Sequence, residues 1–102
     1  MNNAVLETDL LAYVVKKYFD RMSDELFKSP EDLELLQKLS RSAALLPLLP
    51  FGVNLWKAQN IYDRLRGKVL LQMEERGDEK SKMWMETFRT LGEQLGFRVQ
   101  RD

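Results

Sequence analysis

The sequence predicts an all-α protein: a compact antiparallel bundle of about four helices, with a proline-rich connector between helices 2 and 3. Three observations carry that expectation. Apolar residues recur at spacings of three and four over long stretches, which sets them on one side of a helix. Ser, Asn, Pro and Gly fall at the ends of those stretches, where caps and breaks belong. The apolar run from Leu46 to Val53, broken by Pro47 and Pro50, cannot continue a helix and marks the connector.

The first helix is expected near residues 8–28. Leu10, Leu11, Val14, Val15, Tyr18, Phe19, Met22 and Leu26 describe one broad buried face. Ser29-Pro30-Glu31-Asp32 reads as the next helix start, with a hydroxyl cap, a proline suited to the first turn, and acids that complement the dipole. The second helix follows over residues 30–46 on Leu33, Leu36, Leu39, Ala43 and Leu46.

Pro47 and Pro50 then remove two backbone donors and bias their predecessors to extended geometry, so the apolar run to Val53 is expected to lie on the core as a stiff connector. Asn54 caps a third helix over 55–76 that stops at Gly77. A fourth spans 79–95, burying Met83, Trp84, Phe88, Leu91 and Leu95. Gly96 serves as its left-handed cap, with Phe97 folding back onto Leu91.

Size and composition narrow the function classes. The 102 residues suit a single domain, 1–102, with one modest core. Sixteen basic residues balance sixteen acidic ones, which gives no long-range attraction to nucleic acid or anionic membrane. No segment has the length of a membrane span, and the polar, acidic N-terminus is unlike a secretory leader. Without cysteine there is no disulfide framework, and a cytoplasmic location is the expectation. Without histidine the commonest general base and metal ligand are missing.

The carboxylates, among them Asp20 with Asp24 and Glu74, Glu75, Asp78 with Glu79, fall on charged faces or helix ends, where solvated surface is the ordinary role. No phosphate loop, nucleophile elbow or calcium loop occurs. The expectation is a non-enzyme with no catalytic residue, no metal and no cofactor. Arg64, Arg66, Lys68, Arg98 and Arg101 leave nucleic-acid binding a weak reading, because a helix-turn-helix needs a short turn and a basic footprint.

The third helix is the informative one. Leu55, Ala58, Ile61, Tyr62, Leu65, Val69 and Met73 make a core stripe. Trp56, Leu70 and Leu71 lie off it, on a second face shared with Asn60, Asp63 and Gly67. Helical spacing favours core packing for that face too, against a second neighbour. The other reading is a docking face or ligand groove. Gly67 costs about 1 kcal/mol relative to alanine, so the close approach of another group would account for it. Asn60 beside a tryptophan can bond and stack a polar ligand.

The stretch Leu49-Pro50-Phe51-Gly52-Val53-Asn54-Leu55-Trp56-Lys57-Ala58-Gln59-Asn60-Ile61-Tyr62 resembles a segment of the helical region that follows the catalytic barrel in family-57-type glycoside hydrolases. There a Leu-Trp-Lys-Ala-Gln-Asn run opens a helix; Trp-x-Ala-Gln-Asn is its distinctive part. The resemblance implies a non-catalytic accessory role beside a glycan-active enzyme, with Trp56, Gln59 and Asn60 as the positions of interest. The family's catalytic carboxylates belong to the barrel, so none transfers. The alternative is a free-standing interaction module that self-associates through the third helix. The chain reads equally as an excised domain or a complete protein.

Overall fold

The computed structural model describes residues 3–96, and the side chains of residues 7–96. The described chain is all-helical. Five α-helices follow in order, α1 (Asn3–Lys28), α2 (Leu33–Ala43), α3 (Trp56–Lys68), α4 (Leu70–Arg76) and α5 (Glu79–Gln94), with one 3-10 turn at Leu46–Leu48.

The core is built where the apolar stripes meet. Phe19, Met22 and Leu26 of α1, Leu36, Leu39 and Ala43 of α2, Ala58, Tyr62 and Leu65 of α3, Met73 of α4, and Trp84, Phe88 and Leu91 of α5 form one buried cluster, together with Val69 and Leu95. α5 packs chiefly on α2 and α4, and α1 packs on α3 and α2. Three rings tie the layers together. Tyr62 stacks on Phe88 with centroids 4.1 Å apart, and Phe88 stacks on Trp84 at 4.7 Å. The indole Nε1 of Trp84 donates to the carbonyl of Pro30 at 2.7 Å, which fixes the α1–α2 turn against the core. Gly92 lies one turn beyond Phe88 on the same side of α5, where the Tyr62 ring covers it.

The structure corrects the expected four-helix count. The single helix expected over 55–76 is two, broken at Val69 one turn after the midpoint. Val69 is itself β-branched and stands two residues after an exposed glycine, Gly67, two features that weaken helical continuity. The second helix ends at Ala43 rather than Leu46, and the chain beyond makes the 3-10 turn before irregular backbone to Leu55. Leu48 in this segment is 77% exposed, so it does not lie on the core as expected.

Caps also differ in detail. The start of α2 is capped by Asp32, whose carboxylate accepts from the Leu35 amide at 3.1 Å, and not by Ser29. A short aspartate one residue before the helix competes better than a serine separated from it by a proline turn. Asn54 Oδ1 accepts from the Trp56 amide at 2.9 Å at the entry to α3. Gly77 and Gly96 take the expected left-handed conformation, at φ 63° and 93°; Phe97 lies outside the described residues.

Three residues expected inside α1's buried face, Leu10, Leu11 and Val14, are exposed. α1 spans about 39 Å at the standard helical rise, longer than any helix it packs against, so its N-terminal half runs past the core. Met83 is exposed as well, because it sits about 100° of rotation from Trp84, on the outer side of α5.

Candidate functional site

The candidate site lies on the outer side of α3. Trp56 opens the helix, and the four-residue spacing to Asn60 and Arg64 brings all three along one side, one turn apart. Opposite them, α1 supplies Asp24 and Phe27. Together with Lys57 and Ile61 these residues line a groove of about 520 Å³ between the two helices. That volume is of the size that holds a small ligand or a few side chains of a partner.

The walls are apolar and the rims polar. Ile61 and Phe27 are half-buried and form the apolar lining. The Lys68 ammonium lies 5.5 Å from the Phe27 ring centroid, within range of a cation–π contact. Lys57 Nζ donates to Asp24 Oδ2 at 2.8 Å and bridges α3 to α1. That hydrogen bond raises the Lys57 pKa above its ordinary value, against a smaller opposing effect of desolvation. Arg64 sits in the groove with no ion pair among the described residues, whereas Arg66 is held by Asp63 at 2.7 Å.

Trp56 decides the character of this surface. It is 69% exposed, while Trp84 is fully buried and hydrogen-bonded. The expectation that helical spacing would bury Trp56 is therefore corrected. α1 covers α3 on the side of Ile61 and leaves the side of Trp56 to solvent. An unburied indole ring is a large apolar area left in water at one end of a groove.

No family model, curated protein or solved structure matches the chain.

The other positions expected on this face divide. Trp56 and Asn60 meet in the groove. Gln59 does not: its Nε2 donates to the carbonyl of Leu95 at 2.6 Å, tying α3 to the end of α5. Asp63 is on the outer surface with Arg66. Gly67 faces open space, with no atom within 4 Å of where a β-carbon would be, so close approach does not account for it. Leu70 is half-buried and packs on the core, and Leu71 is exposed on α4, beyond the break that separates it from Trp56. The core stripe keeps its phase through Val69, which donates to Leu65 and accepts from Met73, so of the two leucines only Leu70 departs from the off-core face the wheel gives it.

Sequence reasoning missed Asp24, Phe27 and Ile61 as groove residues. Phe27 and Asp24 carry no signal of their own, since only the packing of α1 on α3 brings them there. Arg64 was visible as a basic residue, and its spacing of four from Asn60 was the signal that joined it to Trp56.

A second groove, about 390 Å³ between α2 and α5, is lined by Gln37, Ser40, Arg41, Glu86, Thr87 and Thr90. Its lining side chains are polar or charged, with no aromatic anchor among them. Among the described residues no three acidic, histidine or cysteine side chains are grouped to hold a metal ion, and no helix is long and apolar enough to cross a membrane.

Proposed function

We propose that this chain is a non-catalytic helical interaction module that engages a partner protein domain through the α1–α3 groove. The observation that carries the reading is the exposed Trp56 at the groove's end. Burying an indole on association contributes more than almost any other side chain, and tryptophan and arginine lead the residues that dominate interfaces. Trp56 supplies an apolar anchor, Phe27 and Ile61 a slot for a partner side chain, and Arg64 a fork for a partner carboxylate.

The Leu-Trp-Lys-Ala-Gln-Asn resemblance supports an accessory role beside a family-57-type glycan-active enzyme as the setting. Catalysis would need an acid with a displaced pKa in a closed site. The groove offers instead a carboxylate, Asp24, already paired with Lys57.

A photo-crosslinking residue at position 60 tests the proposal against the same residue at Lys38, on an exposed part of α2. In cells expressing the chain, a discrete adduct from position 60 alone is expected. No adduct, or the same adducts from both positions, contradicts it.

A second reading rests on Trp56 and Asn60 being one turn apart on the exposed side. An indole face stacks a sugar ring, and a neighbouring amide bonds its hydroxyls. Titration with a panel of neutral oligosaccharides, following tryptophan emission in the chain and in Trp56→Phe, decides it. A saturable change lost in Trp56→Phe supports sugar binding, and a flat titration removes it. Nucleic acid has no comparable support: Arg66 is held by Asp63, and Lys68 lies over Phe27.

A further inference from the structure

The N-terminal half of α1 carries an apolar stripe that is left exposed among the described residues. Leu10 is 63% exposed, and Leu11, Tyr13 and Val14 are each more than half exposed. Apart from Val15, the residues of α1 that pack on the core begin at Tyr18. By helical rotation Leu10, Tyr13, Val14 and Lys17 share one side of α1, opposite Phe19, Met22 and Leu26. Their spacing of three, four and seven is that of a packing seam. α1 thus has two amphipathic faces, one spent on the bundle and one outward.

The charges bounding the outer stripe are arranged by sign. Glu7 lies one turn before Leu10, and Lys17 one turn after Tyr13 and Val14. Lys17 Nζ is 5.8 Å from the Tyr13 ring centroid, so it stays on the stripe's side. Lys16 is taken by Asp20 of the same helix at 2.8 Å, whereas no ion pair among the described residues engages Glu7 or Lys17.

We infer that two copies of the chain pair antiparallel through this stripe, about a two-fold axis at the level of Ala12. That register sets Leu10 of each copy against Val14 of the other and places Glu7 opposite Lys17 at both ends. Both ion pairs and both apolar contacts follow from one operation, as an isologous interface requires. A parallel pairing would oppose Glu7 with Glu7 and Lys17 with Lys17. An anionic membrane surface suits the stripe less well, because Glu7 and Asp9 lie beside it and the chain has no net charge.

About three helical turns bury less than the roughly 1,600 Å² of a standard interface, so the dimer is weak and concentration-dependent. This seam is separate from the α3 groove, and the two stand or fall independently.

Sedimentation equilibrium of the whole chain, from about 1 μM to about 500 μM, tests the inference. A monomer–dimer transition is expected within that range. Glu7→Lys and Lys17→Glu should each weaken it about tenfold, since each turns two attractions into repulsions. The double variant Glu7→Lys/Lys17→Glu should restore it, and Trp56→Ala should leave it unchanged. All of these residues are exposed, so thermal unfolding should stay at the parent value. A monomer throughout, indifference to the single reversals, failure of the double to restore, or loss of the dimer in Trp56→Ala each overturns the inference. So does a monomer that instead co-sediments with anionic vesicles.

Discussion

Tyr62 on α3 lies against the backbone of α5 at Gly92, so closely that a β-carbon built on Gly92 would overlap the phenol ring. The contact explains how a bulky ring bridges two helices while also stacking on Phe88. α5 admits it by having no side chain at that level. Gly92 is therefore a packing glycine, in a helix that would otherwise prefer alanine.

Gly92→Ala should lower stability by about 1–2 kcal/mol. Overpacking costs about 1–3 kcal/mol, and the gain of about 1 kcal/mol in helix propensity offsets part of it. In the background of Tyr62→Leu the same substitution should become neutral or stabilising, because the ring is gone. Urea denaturation of the four proteins measures the coupling. Additive losses would show that Tyr62 and Gly92 do not constrain each other.

Gly67→Ala should act in the opposite direction. Gly67 is helical, exposed and clear of every neighbour, so a methyl group meets nothing and the unfolded chain loses freedom. A gain of about 0.5–1 kcal/mol is expected from the same denaturation series. A loss would mean that the break at Val69 needs the glycine.

The contrast between the two glycines shows what was legible in the sequence. Fold class, the core faces of α2 and α5, and the glycine caps follow from periodicity and local chemistry, which act within a few residues. Gly67 drew attention because a glycine inside a helix is costly, yet it contacts nothing. Gly92 looks like any helical glycine, and its role depends on a residue thirty positions away. The same limit governs the site. Trp56, Asn60 and Arg64 share a face by spacing alone, but Asp24 and Phe27 join them only through the packing of α1. Leu10 and Val14 read as core because the wheel reports amphipathicity without reporting how far a neighbouring helix extends.

Alkaline pH should destabilise the fold through Tyr62. Burial, the largest influence, raises its pKa above the ordinary 10.0, with Arg66 and Arg89 opposing. A group whose folded pKa is raised contributes stability that is complete below its unfolded pKa and is lost as pH rises through the folded value. Stability should therefore fall above about pH 10. Tyr62→Phe should flatten that fall. An unchanged slope in Tyr62→Phe would assign the effect to other groups.

α3 separates the core from the proposed recognition surface, with Tyr62 facing the core and Trp56 facing out. Paired unfolding measurements on Trp56→Ala and Tyr62→Ala test it most directly. Tyr62→Ala should cost about 3–5 kcal/mol, a large part of the roughly 5–15 kcal/mol that holds such a domain together. Trp56→Ala should cost less than about 1 kcal/mol, as for a surface substitution. Large and equal losses at both positions would place Trp56 in the core and contradict the claim.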